Sequence, residues 1–277
     1  MAKASDVDVG LCVYMKIDAS ALSRLPKLKM VVKGGIGVDN FNLADCTSYG
    51  VYACNVPDYG VEEVSIHALS LTLALERKVV FYNNRMHKGE WDEEPGYPMR
   101  RVSLRTMGML GFGRIARNLT GYAQALGYSV IAYDPFLPDE FFEKARAKRV
   151  SLDEVFALPD VLVVMAPSTK ETINVVNDAN LAKARDCLLL INTARGTLVD
   201  TEAVIRALDV FPMEPPKDTA KGLYGRENVI LTPHIAYRSV ESFAALKRMQ
   251  AETGISFLKG GEPYNVVNKE VIGKAKA

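Results

Sequence analysis

Two hydrophobic rhythms alternate along most of the chain. Short runs of Val, Ile and Leu predict strands at Val7–Tyr14, Lys29–Lys33, Val51–Val56, Thr106–Leu110, Ser129–Tyr133, Val161–Met165, Cys187–Asn192 and Val229–Thr232. Between them, apolar residues recur at helical spacing. The longest such stretch, Val61–Lys88, carries Val64, Ala68, Leu71, Leu75 and Val79 on one face. Further helices are predicted over Arg114–Leu126, Leu152–Leu158, Asn180–Ala184, Thr201–Leu208 and Val240–Lys259. Near-continuous apolar strands separated by helices imply a parallel sheet buried on both faces, hence an α/β doubly wound architecture. Trp91, Pro95, Gly96 and Pro98 make Gly89–Arg101 a turn-rich crossing. It divides the chain into residues 1–100, to which 240–277 return, and residues 101–239.

Composition narrows the class only a little. Lys plus Arg number 34 and Asp plus Glu 33, a formal charge of +1, so no basic footprint for nucleic acid is present. The four cysteines, Cys12, Cys46, Cys54 and Cys187, form no CxxC pair, which suits a reducing cytoplasm better than a disulfide framework. The first residues lack the apolar core of a signal peptide, and no apolar run is long enough to span a bilayer. His67 and His87 have no partners at metal-ligand spacing, so no metal site is proposed, and His67 is read as a structural side chain.

Chemistry enters with Gly111-Phe112-Gly113-Arg114-Ile115-Ala116, a GxGxxA turn between a predicted strand and a predicted helix. Gly111 permits the tight turn, Gly113 lets a pyrophosphate approach the backbone, and Ala116 allows close helix–strand packing, as in Rossmann folds. N–H groups at Arg114 and Ile115 would face the anion. Asp134 closes the next strand about twenty residues on, where a carboxylate can bind a ribose 2′-hydroxyl, favouring NAD over NADP. Three more segments place reactive groups after strands: Asn192-Thr193-Ala194-Arg195-Gly196, Asp209 to Pro215 with Glu214, and Thr232-Pro233-His234-Ile235. Singly, each has a bland explanation as a surface cation, a solvated carboxylate and a structural histidine.

Together with Gly35-Ile36-Gly37-Val38-Asp39-Asn40, Asn55-Val56-Pro57 and Glu63-Val64 with His67-Ala68, these segments resemble the D-isomer-specific 2-hydroxyacid dehydrogenases, a family that includes phosphoglycerate, D-lactate and glyoxylate/hydroxypyruvate dehydrogenases and the related corepressors. The resemblance runs from about Leu28 to Asn268. It implies a flavodoxin-like substrate domain beside the NAD domain, a small 2-keto or 2-hydroxy acid substrate, and a homodimer. It also implies roles: Arg195 binds the substrate carboxylate and polarises the carbonyl, His234 exchanges the proton, and Glu214 pairs with His234. Ile36 and Gly37 would hold the carboxylate through backbone N–H groups, and Thr193, Ala194 and Asp209 would contact the cofactor. A second reading stays open, in which the chain is a catalytically weak NAD(H)-binding sensor or scaffold of the corepressor branch.

The sequence departs from the family pattern at two places. Only Val7–Tyr14 precedes the Leu28 region, so the substrate domain is expected to lack its first βα unit and to leave a sheet edge uncovered. The predicted helix Thr201–Leu208 runs directly into Asp209, although an αβ connection usually needs about 2–6 residues. The strand leading to Glu214 is therefore expected to be missing or improvised, with Asp209 and Glu214 displaced.

Overall fold

The computed structural model describes residues 6–92, 99–200, 223–226 and 228–272, together with the backbone of Ala207–Leu208. In chain order its elements are β1 (Val9–Cys12), α1 (Ala19–Leu22), β2 (Met30–Lys33), α2 (Leu43–Ser48), β3 (Tyr52–Cys54), α3 (Val61–Glu76), α4 (Val79–His87), β4 (Thr106–Leu110) and α5 (Arg114–Ala125). There follow β5 (Ser129–Tyr133), α6 (Asp139–Lys144), β6 (Lys148–Arg149), α7 (Leu152–Ala157), β7 (Val161–Val164), α8 (Asp178–Leu181), β8 (Leu189–Asn192), β9 (Ala207–Leu208) and α9 (Val240–Leu258). They form two compact units, residues 1–60 with 238–277 and residues 61–237. Helix α3 falls within the second of these units, where it packs on α5 and β8.

The first unit is a parallel sheet of order β1-β2-β3. Alternation along the strands sends Val31 and Ala53 to a core with Leu22, Phe41 and Cys46, and Met30, Val32 and Cys54 to a second core with Leu246 of α9. Ser239 opens α9 with a capping box. From that helix Gln250 Nε2 donates to the carbonyls of Cys12 at 3.1 Å and Val32 at 2.8 Å. Burial pushes the thiols of Cys12 and Cys46 up to about 11 and that of Cys54 up to about 12, so all three stay protonated and unreactive near neutral pH.

The second unit holds a six-stranded parallel sheet of order β6-β5-β4-β7-β8-β9. Its faces separate by parity. Met107, Met109, Val130, Ala132, Val161, Val163 and Ile191 pack under α3 and α5, whereas Leu110, Ile131, Leu162, Val164 and Leu190 pack with Val155 and Phe156 of α7. Gly108 is required there. A Cβ would lie 2.9 Å from Pro159 Cγ and 3.3 Å from the Val155 carbonyl, so only glycine lets α7 sit this close.

A buried ionic group ties α3 to the N-terminal ends of these strands. Arg105 Nε lies 2.9 Å from Glu76 Oε1, without the alignment of a true hydrogen bond. Tyr128 donates to the same oxygen at 3.3 Å, and Arg105 Nη2 donates to the Asp160 carbonyl at 3.2 Å. Burial raises the Glu76 carboxyl above its ordinary value, with Arg105 opposing the shift.

Three local expectations are corrected. The long helix breaks into α3 and α4 at Lys78, which takes φ +52°, two residues after Glu76 enters the buried group. Ala207–Leu208, read as a helix end, is instead a strand, pairing parallel to Ile191 and Asn192 of β8. The hydrogen-bonding edge of β8 needs a partner more than these two residues need a helical turn. The strand expected over Val229–Thr232 is reduced to a single bridge at Leu231.

Candidate active site

The turn after β4 is built to admit an anion. Gly111 takes φ +91°, and a Cβ there would lie 2.6 Å from the Ala166 nitrogen at the end of β7. Phe112, fully buried, stacks on Phe142 at 4.8 Å between ring centroids and anchors the turn from below. Arg117 Nη1 donates to the Phe112 carbonyl at 2.8 Å. Gly113 caps α5 without a side-chain acceptor, no acidic residue lies in the first turn, and a Cβ at Gly113 would meet nothing within 4 Å. The leading N–H groups at Arg114 and Ile115 therefore form a positive helix terminus with room before it, which suits a pyrophosphate.

Asp134 ends β5 beside this turn. Its Oδ2 accepts from the Phe112 N–H at 2.9 Å and its Oδ1 from the Phe136 N–H at 3.0 Å. A carboxylate has about four acceptor positions, so two remain for a ribose diol while the first two fix its orientation. The residues present thus fit a dinucleotide at both its phosphate and its ribose.

β8 carries Arg195. Asn192, fully buried, closes the turn that follows it: its Oδ1 accepts from the Ala194 N–H at 3.0 Å and its Nδ2 donates to the Arg195 carbonyl at 2.9 Å. Arg195 Nη1 donates to the Ala194 carbonyl at 2.7 Å. Thr193, largely buried, sets its hydroxyl 3.9 Å from Met165 Sδ, so this loop lies against the end of β7, as the glycine turn does. Gly111, Asp134 and Arg195 therefore all belong to the C-terminal edge of one parallel sheet, the side on which open α/β sheets bind ligands.

His234 lies in a segment whose Ile230 packs against the core under α3 and α5 and whose Ala236 is buried. It takes φ +52°, a left-handed conformation uncommon for a non-glycine residue, and its ring meets Tyr237 edge to face at 5.9 Å. Two positions upstream, Thr232 Oγ1 lies 3.2 Å from His67 Nε2 on α3. In the first unit, Ile36 and Gly37 sit in the loop after β2. Asn55 Nδ2 donates to the Ile36 carbonyl at 2.6 Å, and the Val56 N–H to the Gly35 carbonyl at 3.1 Å. Asp209 and Glu214 lie outside the described residues.

Two side chains with evident parts in this arrangement were not singled out from sequence. Asn192 was seen as part of a motif, but its clamp on the arginine turn depends on a buried side chain folding back on its own strand end. His67 meets a partner 165 positions away in sequence, a contact that exists only in the folded chain.

Fold and site together define a dinucleotide-dependent oxidoreductase. Residues 69–236 match the family described as D-isomer specific 2-hydroxyacid dehydrogenase, NAD binding domain. The chain is 31% identical over 292 residues to a glyoxylate reductase of Pyrococcus furiosus, covering 98% of this chain and 85% of that protein. It is 32% identical over 277 residues to a glycerate dehydrogenase of Methylorubrum extorquens, covering 94% and 85% respectively. Its structure is similar to that of D-lactate dehydrogenase from Aquifex aeolicus complexed with NAD and lactic acid, with a TM-score of 0.90, 28% identity and coverage of 96% and 88%. The chain belongs to the D-isomer-specific 2-hydroxyacid dehydrogenase family. Its cofactor is NAD and its reaction class is hydride transfer on small 2-hydroxy or 2-keto acids. Of the two readings open from sequence, the enzyme is therefore the one that stands.

Proposed function

We propose that Arg195 and His234 carry the chemistry of a 2-keto acid reductase, with Glu214 as the partner of His234. The observation that supports this most is the shared footing of the arginine loop and the glycine turn on Met165–Ala166 at the end of β7. NADH bound at the turn supplies the hydride. The Arg195 guanidinium pairs with the substrate carboxylate and draws electron density from the C2 carbonyl. As that carbon gains the hydride, its oxygen becomes an alkoxide, and the His234 imidazolium gives up a ring proton to it. Ketone plus hydride plus proton yields the alcohol, and the reverse direction returns the proton to His234. Glu214, as the partner of His234, fixes the tautomer of its imidazole. Ile36 and Gly37 offer backbone N–H groups to the carboxylate, and Thr193, Ala194 and Asp209 line the cofactor.

Residues 1–60 with 238–277 form the substrate domain and 61–237 the cofactor domain in this proposal. The enzyme is a cytoplasmic homodimer. Val79 and Met86 of α4, and Trp91 and Leu104 between α4 and β4, are exposed apolar side chains of the kind a second copy would cover. No described helix is long and apolar enough to cross a membrane. The test is NADH oxidation with glyoxylate, hydroxypyruvate, pyruvate and phosphohydroxypyruvate in turn, beside Arg195→Gln and His234→Ala. Turnover on at least one acid, lost by about 10²-fold or more in each variant, supports the assignment. Tight NADH binding with no turnover on any of them contradicts it.

A further inference from the structure

Helix α3 sends polar side chains to both halves of the site. Ser65, fully buried, donates to the Val61 carbonyl at 2.6 Å within its own helix and reaches the Ile115 carbonyl of α5 at 3.1 Å. Ile115 belongs to the helix turn that faces the pyrophosphate. Two residues further along, His67 Nε2 shares a hydrogen bond with Thr232 Oγ1 at 3.2 Å. The helix is thus tied at one point to the cofactor turn and at another to the segment that carries His234.

The second tie acts close to the chemistry. Only Pro233 separates Thr232 from His234. Its ring fixes φ, and His234 itself is confined to the narrow left-handed region at φ +52°. Those two restricted torsions couple the position of Thr232 to the backbone that carries the imidazole. The hydrogen bond from the 16-residue helix α3 to Thr232 therefore acts on the segment that carries His234. Helix packing alone does not call for histidine at position 67. The core face of α3 is supplied by Val64, Ala68 and Leu71, whereas His67 is only half-buried and spends its ring nitrogen on a residue of another segment.

We infer that His67 is a positioning residue for the reaction: through Thr232 it holds the His234 loop in the orientation that presents the imidazole to the substrate carbonyl. The inference rests on the reading of His234 as the proton donor. It goes beyond that reading by placing part of the control of His234 on the cofactor domain's own helix, independent of Glu214.

The test compares His67→Leu, His67→Gln, Thr232→Val and the double variant His67→Leu/Thr232→Val, each also combined with His234→Ala. Readouts are kcat with glyoxylate and NADH, the Kd of NADH by fluorescence, and thermal unfolding. The expected result is a kcat lowered roughly 10–100-fold in His67→Leu and in Thr232→Val, the range a displacement of about an ångström produces. The Kd of NADH stays within about 3-fold, the double variant is no worse than either single one, and His67→Gln, which can still reach the hydroxyl, recovers most of the loss. In the His234→Ala background none of these changes has a further effect. Wild-type kcat in His67→Leu, or additive losses in the double variant, overturns the inference alone when His234→Ala is inactive. A fall in NADH affinity or in melting temperature that accounts for the whole loss also overturns it. Full turnover in His234→Ala overturns the proton-donor reading, and the inference with it.

Discussion

The two glycines of the turn after β4 make opposite demands, and alanine at each separates folding from cofactor binding. At Gly111 the backbone is left-handed, φ +91°, which costs an L-residue ~1–2 kcal/mol. The added Cβ would also lie 2.6, 2.7 and 2.9 Å from backbone atoms of Ala166 and Met165, which cannot swing aside as a flexible side chain can. Relief of such overpacking costs a further ~1–3 kcal/mol. Gly111→Ala is therefore expected to destabilise the cofactor-free protein by roughly 2–5 kcal/mol, a drop in melting temperature on the order of 10 °C. Gly113 has φ −65°, which any residue adopts, and a Cβ there meets nothing within 4 Å. Gly113→Ala should change stability by less than ~1 kcal/mol. Its methyl group, however, occupies the space through which a pyrophosphate reaches the N–H groups of α5. Loss of one charge-assisted hydrogen bond, ~1.5–3 kcal/mol, weakens NADH roughly 10–100-fold. Thermal unfolding without cofactor and fluorescence titration with NADH measure the two effects. A Gly113→Ala protein that binds NADH as tightly as wild type, or a Gly111→Ala protein of undiminished stability, refutes the reasoning.

Other perturbations reach different parts of the molecule. Arg105→Met leaves Glu76 buried without its cation and should cost roughly 3–5 kcal/mol at neutral pH. The carboxyl is already raised by burial, so its folded state binds the proton more tightly than the unfolded state does, and stability is lost as pH rises through the folded value. Urea unfolding of Arg105→Met at pH ~5 and ~8 should accordingly show the deficit shrinking at the lower pH, and a deficit that grows on acidification contradicts this sign. Asn192→Ala removes both clamps on the arginine turn, and kcat/KM should fall ~10²-fold while the NADH Kd moves little. Unchanged kcat/KM would show that the turn holds Arg195 without it.

What could be read from the sequence follows from where the physical signal is strong. β4 and β5 were predicted to the residue, and β7, β8, α5 and α9 nearly so, because their apolar runs are buried on a sheet or along one helix face. The glycine turn and Asp134 were legible because tight backbone geometry admits few residue types. Short α1 and α2 were missed because they lack room for an apolar period. Their signal lies in the caps, where Asp18 and Asn42 accept from Ala21 N–H and Asp45 N–H. The edge strand β6 is Lys148–Arg149, both exposed, and carries no hydrophobic mark at all. Ala207–Leu208 has helical composition, and only the open side of β8 turns it into a strand. Of the site, Arg195, Glu214 and His234 took their roles from the family resemblance, while the glycine turn and Asp134 were named by type and spacing. Asn192 and His67 were not, since a hydrogen-bond partner is a property of the folded chain.

The most direct measurement is a crystal structure of the protein with NADH and the unreactive keto-acid analogue oxamate. The account predicts the pyrophosphate on Gly111–Ile115, the ribose on Asp134, the oxamate carboxylate on Arg195 and the His234 imidazole within hydrogen-bond reach of its carbonyl oxygen. A dinucleotide bound elsewhere, or an arginine and histidine that face different cavities, would contradict it.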